Sequence, residues 1–274
     1  MRLLALDLDG TLLCRDGSVD PRDVAAVARA RARGLEVTLA TGRLTTGALP
    51  AARLLGLAAP MVCADGATIA SSASGEVLER TPIALALLDR VLACFAEHAL
   101  EAFVFSHATI HCGPSGVRHE AQVSVWTTDL AVHPELASAA AYRSGDDVAM
   151  VLALGDEASC TETRRALEER YPSDATPVQF AFRSTGQHAV LVRGRGTNKG
   201  VALARVAERL GVERHEVCAV GDWTNDVPMF EWAGRSFAMR GAPDEVTRAA
   251  TDRLETPIGA GGGVAEAIAR LLGD

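Results

Sequence analysis

Leu3-Leu4-Ala5-Leu6-Asp7-Leu8-Asp9-Gly10-Thr11-Leu12 carries an apolar run straight into two carboxylates, a glycine and a threonine. Leu3 to Leu6 read as a buried strand. On an extended strand residues i and i+2 point to one face, so Asp7 and Asp9 project together beyond its carboxyl end. In an open α/β sheet that edge is where ligands bind. Two acids placed there can act as nucleophile and proton carrier, or can share a hard divalent cation such as Mg2+. The alternative is a plain exposed turn in which Asp9-Gly10 marks the bend.

Working outward from this strand, Asp20-Pro21 reads as an N-cap with proline at the first helical position, opening a helix to Arg33 that stops at Gly34. Leu35 to Ala40 form a second strand ending in Thr41-Gly42-Arg43, and a helix to Leu55 stops at Gly56. Pro60 to Cys63 give a third strand, running into Ala64-Asp65-Gly66-Ala67. This strand–helix alternation predicts a parallel sheet with right-handed crossovers. From about Pro82 the alternation fails. A helix to His98, strands at Ala102 to Phe105 and Val148 to Leu154, a helix from Asp156 to Arg170 and a strand at Val178 to Phe182 read as a separate α+β insertion. Gly113-Pro114-Ser115-Gly116 and Arg143-Ser144-Gly145-Asp146-Asp147 read as its turns. Past His188 the first pattern resumes, with a strand at Val190 to Val192, a helix from Lys199 to Leu210 and a strand at Val217 to Val220. A further strand near Phe237 and a helix from Val264 to Leu272 close the chain. The expected domains are therefore 1–81 with 189–274, and 82–188.

Three more strings carry chemistry. Thr41-Gly42-Arg43 offers a hydroxyl and a glycine-freed backbone N–H to a phosphate oxygen, although Thr-Gly turns are common. Lys199 opens a helix, where the dipole disfavours a cation, so a task among carboxylates and a phosphoryl group gains weight over a solvated surface charge. Gly221-Asp222-Trp223-Thr224-Asn225-Asp226 follows a buried strand, bringing Asp222 to the same sheet edge and Asn225 with Asp226 to a helix start.

Asp7-Leu8-Asp9-Gly10-Thr11-Leu12, Thr41-Gly42-Arg43, Lys199-Gly200 and Gly221-Asp222-Trp223-Thr224-Asn225-Asp226-Val227-Pro228-Met229, in this order, resemble the motifs of the haloacid dehalogenase-like superfamily. Within it the chain is similar to the Cof-type branch with a large α/β cap. The resemblance implies a Rossmann-like α/β core with a parallel sheet and an inserted α+β cap domain. It implies a Mg2+-dependent phosphatase acting on small phosphorylated metabolites, sugar phosphates foremost. Asp7 would be the nucleophile and Asp9 the general acid, then base. Mg2+ would be held by Asp7, Asp222 and the carbonyl of Asp9, with Asp226 supporting the metal shell. Thr41 and Lys199 would hold the phosphoryl oxygens, with Gly42, Arg43 and Asn225 joining them in substrate binding. A phosphotransferase or phosphomutase would use the same aspartyl-phosphate, and a non-catalytic phospho-ligand sensor would keep the fold without turnover. The third strand of this branch often ends in Asn-Gly-Ala. Here it ends in Asp65-Gly66-Ala67, which adds negative charge near the site. Trp223 is a bulky neighbour for Asp222 that would line the entrance.

Composition narrows the partners. A formal charge of -8 argues against non-specific nucleic-acid binding. No stretch reaches about 18 uninterrupted apolar residues, so no membrane span is expected, and the N-terminus lacks a signal peptide's apolar segment. A cytoplasmic monomer or homodimer is the expectation. Six scattered cysteines without a paired Cys-x-x-Cys read as reduced thiols. His107, His111, Cys112 and His119 lack the paired spacing of structural zinc. Trp126, Arg183 and His188 are candidates to face a substrate, although packing explains Trp126 and His188 as well. Gly259 to Val264 fails the dinucleotide-binding glycine pattern at its last position.

Overall fold

The computed structural model describes residues 1–143, 147–182 and 185–273. Its strands are β1 Leu3–Leu6, β2 Glu36–Leu39, β3 Met61–Cys63, β4 Thr68–Ala70, β5 Val77–Arg80, β6 Glu101–Phe105, β7 Ile110–Cys112, β8 Leu130–Val132, β9 Met150–Gly155, β10 Ala175–Ala181, β11 His188–Gly194, β12 Val217–Gly221, β13 Arg235–Arg240 and β14 Asp252–Pro257. The helices are α1 Pro21–Ala32, α2 Thr45–Leu54, α3 Leu85–Glu97, α4 Glu120–Val123, α5 Ala140–Arg143, α6 Glu157–Arg170, α7 Lys199–Arg209, α8 Val227–Trp232, α9 Asp244–Ala249 and α10 Gly263–Leu272. Two compact units result: Met1–Glu79 with Asn198–Asp274, and Arg80–Thr197.

The first unit is built on a five-stranded sheet of order β14-β13-β12-β1-β2, parallel throughout. Both faces of β1 are covered, which explains its unbroken apolar run. Leu4 and Leu6 enter one core layer with Val27, Val37 and Ile268, while Leu3 and Ala5 enter the other with Leu203, Val206 and Ala219. After β2 the chain leaves this sheet, and it returns on the other side of β1 at β12. The strand order therefore reverses beside β1, and such a reversal opens a crevice at the strands' carboxyl ends. Leu6 is in register with Val220 and with Leu39, so three strands end level there.

Local chemistry fixes the boundaries. Asp20 caps α1 by accepting the Arg22 N–H, Pro21 takes the first helical position, and Gly34 at φ +84 turns the chain out. Buried Asp23 accepts from the N–H groups of Gly262 and Ala265, satisfying the start of α10 and tying the first helix to the last. The glycine-rich segment 259–263 makes that turn, with Gly259, Gly261 and Gly262 at positive φ.

Strand β3 is parallel to Ala40 through Val62, as the alternation predicts, but then folds back antiparallel on β4. The β3-β4-β5 sheet has no counterpart in the sequence reading. The second unit holds a six-stranded sheet of order β10-β11-β9-β6-β7-β8, antiparallel except for β7 with β8. One face packs on α3 and α6 through Val104, Val151, Val190, Phe95 and Leu167. Here the expectation for Val190 to Val192 fails: this strand belongs to β11, paired to β9 and β10, not to the first unit's sheet. The boundary expected at residue 188 accordingly falls between Thr197 and Asn198. Gly113-Pro114-Ser115-Gly116 leads into a short 3-10 helix at Pro114–His119. Residues 144–146 of the second expected turn lie outside the described residues, as does Arg183.

Trp126 packs against Phe105, Phe180 and Phe182. His188 sits in β11 with Nε2 3.9 Å from Glu157. The His111 ring meets His133 at 2.9 Å and the Ser106 hydroxyl at 3.3 Å, while His119 meets Arg118 and Gln187. All six cysteines are free thiols, five of them buried.

Candidate active site

Asp7 follows β1 directly, its N–H donating to the Val220 carbonyl at 2.9 Å, so the sheet's own ladder delivers its side chain to the crevice. Asp222 follows β12 in the same way. Asp7, Asp222 and Asp226 are all buried, and each offers a carboxylate oxygen within 4.8 Å of the others. Such an oxygen-only cluster can hold a hard divalent metal ion.

Lys199 is fully buried and divides its ammonium between Asp7 Oδ1 and Asp226 Oδ1, both at 2.6 Å. Its position at the start of α7, behind the Asn198 N-cap, is the unfavourable one noted from sequence, and two carboxylates explain it. Burial alone would depress the lysine; Asp226 and Asp7 outweigh it and hold the ammonium well above its ordinary range. Burial first, and then the charge of Asp226, drive Asp7 well above the usual carboxylate range, against the opposing pull of Lys199. Burial and Asp226 likewise push Asp222 up to about 7, although a hydrogen bond from Thr11 opposes them. One ammonium therefore stands among four buried carboxylates, Asp7, Asp65, Asp222 and Asp226, and the excess negative charge is what a divalent cation would balance.

Asp226 is saturated. Beyond Lys199, its Oδ2 accepts the N–H groups of Asp222 at 2.8 Å and Trp223 at 3.0 Å, closing the loop after β12. Gly221 permits this approach, since a Cβ there would stand 2.4 Å from Asp226 Oδ2. Asp226 thus braces Asp222 and Lys199. Asp222 in turn is aimed by the Thr11 hydroxyl, which donates to Oδ1 at 2.9 Å. Gly10, at φ +93, leaves room for the same carboxylate: a Cβ there would lie 2.6 Å from Oδ2. Thr11 stood inside the first motif, yet spacing alone gives no sign that it reaches across to Asp222.

Asp9 is half exposed and turned onto Arg43, whose Nε and Nη2 donate to its two oxygens at 2.9 and 2.6 Å. Arg43 is thus paired with Asp9 where the sequence assigns it to substrate. Thr41 is fully buried, and its Oγ1 accepts the Arg43 N–H at 3.1 Å, which leaves the hydroxyl proton to be donated. Asn225 donates through Nδ2 to Asp65 Oδ1 at 2.8 Å. Asp65, the departure noted at the third strand, is buried beside Gly42.

The model of the haloacid dehalogenase-like hydrolase family matches residues 4–268. Among curated relatives, the chain is similar to the 5-amino-6-(5-phospho-D-ribitylamino)uracil phosphatase of Bacillus subtilis, 27% identical over 92% of this chain and 92% of that protein. It is also similar to the pyridoxal phosphate phosphatase of Escherichia coli, 26% identical over 89% and 90%. Among solved structures, a haloacid dehalogenase-like hydrolase from Bacteroides thetaiotaomicron superposes with a TM-score of 0.82 at 26% identity, over 98% of this chain and 99% of that one. With its parallel sheet, its inserted second unit and its carboxylates gathered at the strand ends, the chain belongs to the haloacid dehalogenase-like hydrolases.

Proposed function

We propose that this chain is a Mg2+-dependent phosphatase of small phosphorylated metabolites. The observation that carries the reading is the buried cluster of Asp7, Asp222 and Asp226 around one lysine. Asp7 and Asp222, with the carbonyl of Asp9, would hold the metal, and Asp226 braces the set. When bound, Mg2+ supplies the positive charge that lets these carboxylates and an anionic ester share one site.

Phosphate monoesters resist water so strongly that turnover requires the barrier to fall by about 20 kcal/mol or more. Splitting the reaction through a covalent intermediate and aiming fixed charge at the phosphoryl oxygens are the means available. An Asp7 oxygen attacks phosphorus, the ester P–O bond breaks, and Asp9 gives its proton to the departing alkoxide. Water then attacks the aspartyl-phosphate, Asp9 takes the water's proton, and the bond to Asp7 breaks to release phosphate. Lys199, the Thr41 hydroxyl and the backbone at Gly42 hold the phosphoryl oxygens. Arg43 leaves Asp9 for the ester's anionic oxygens as substrate enters. The two curated relatives named above act on a phosphoribityl-uracil compound and on pyridoxal phosphate, which supports small phosphomonoesters as the substrate class. Sugar phosphates belong in the same class.

The test is phosphate release from sugar phosphates, nucleotides and pyridoxal phosphate, with and without Mg2+, for the wild type and Asp7→Asn. Metal-dependent release that disappears in the variant is the expected outcome. Release that survives Asp7→Asn would sink the mechanism.

A further inference from the structure

Ala64, Asp65 and Gly66, between β3 and β4, all have positive φ, at +49, +52 and +102. Only glycine adopts that region freely. Two consecutive side-chain-bearing residues there are held by their surroundings. The Ala64 N–H donates to the Arg43 carbonyl at 2.8 Å and the Asp65 N–H to the Thr41 carbonyl at 3.0 Å, so the turn is laced onto the loop that carries the phosphate-binding candidates. On its other side a Cβ at Gly66 would lie 2.3 Å from the Asn198 carbonyl oxygen, immediately before Lys199. The strained turn therefore plugs one buried carboxylate, that of Asp65, between Gly42, Asn225 and Lys199. It adds negative charge to a site already rich in it. Its charge joins those of Asp226 and Asp7 in holding the Lys199 ammonium.

The hydrogen bond from Asn225 Nδ2 to Asp65 Oδ1 gives the carboxylate a further task. A carboxylate accepts only, so it fixes the Asn225 amide with its NH2 end toward Asp65 and Gly42 and leaves the second N–H of that group for another acceptor. Building on the phosphatase reading, we infer that Asp65 is a positioning residue for phosphoryl recognition, orienting Asn225 so that its amide donates to a phosphoryl oxygen beside Thr41, Gly42 and Lys199. Asp65 itself touches no substrate. It acts through Asn225.

The experiment compares wild type, Asp65→Gly, Asp65→Asn, Asn225→Ala and the Asp65→Gly/Asn225→Ala double variant. Glycine accepts a positive φ, so Asp65→Gly removes the carboxylate without adding strain. Asparagine also tolerates that region, and its amide oxygen can still accept from Asn225. KM and kcat are measured with p-nitrophenyl phosphate, and the Kd of inorganic phosphate by calorimetry. Asp65→Gly and Asn225→Ala should each weaken phosphate and raise KM by about tenfold with a smaller change in kcat. The double variant should be no worse than either single one, and Asp65→Asn should recover most of the affinity. Additive single effects would overturn the inference. So would an Asp65→Gly protein that melts earlier yet binds phosphate normally. A wild type that binds phosphate but hydrolyses no ester defeats the phosphatase reading instead, and the calorimetric series still decides the part played by Asp65.

Discussion

At the scale of single residues, Lys199 has the most to lose by substitution. A buried ammonium between two carboxylates is a poor source of net stability, but removing it leaves Asp7 and Asp226 as uncompensated buried charges. Lys199→Met should cost about 3–5 kcal/mol in metal-free buffer and abolish turnover. Because the residual charge is negative, Mg2+ should restore more stability to the variant than it adds to the wild type. Urea titrations with Mg2+ and with a chelator read this out, and equal Mg2+ effects on both proteins would contradict it. Asp7 and Asp222 were legible in the sequence, since a carboxylate closing an apolar run has few other uses, and Lys199 was legible as a cation at a helix start, where the dipole disfavours it. Thr11, and the pairing of Asn225 with Asp65, were not legible, because each depends on a partner 160 or more positions away.

At the scale of elements, the second unit contains a pair that couples its stability to pH. His111 on β7 touches His133, just after β8, and both rings lie against Tyr142. Burial, and then the charge of His133, hold the His111 pKa down at about 4 from its ordinary 6.5. The unfolded chain therefore takes up a proton in a range where the folded unit refuses it. Stability from this group is complete above about pH 6.5 and is lost as pH falls through that value toward 4. His111→Gln, which keeps a polar side chain but does not titrate, should flatten the slope between pH 7 and 5. Denaturant midpoints from Trp126 fluorescence measure it, and an unchanged slope would show that other groups set the pH dependence. This pairing was out of reach from sequence, where His107, His111, Cys112 and His119 lack the spacing of a zinc set and nothing signals that His133 lies beside His111. Strand β11 failed for a related reason. Val190-Leu191-Val192 is an apolar run that suits the interior of either sheet, and local pattern does not say which partner strand it joins. The elements whose ends carry caps, such as α1 with Asp20, Pro21 and Gly34, fell within a residue of their expected bounds.

At the scale of the whole molecule, two units with separate cores give no reason for a single unfolding transition. The proposed metal site lies wholly in the first unit, as do Trp223 and Trp232, whereas Trp126 lies in the second. Tryptophan fluorescence can therefore assign each transition to its unit. A ligand that binds only the folded state at 100 times its Kd adds about 2.7 kcal/mol of stability to whatever must unfold to release it. Mg2+ should thus raise the urea midpoint reported by Trp223 and Trp232 in Trp126→Phe protein. The midpoint reported by Trp126 in Trp223→Phe/Trp232→Phe protein should stay near its metal-free value. The added stability should disappear in Asp222→Asn, which removes a proposed ligand without enlarging the side chain. A shift of equal size at both reporters would mean that the units unfold as one. A shift confined to Trp126 would place the metal in the second unit and overturn the assignment of Asp7 and Asp222.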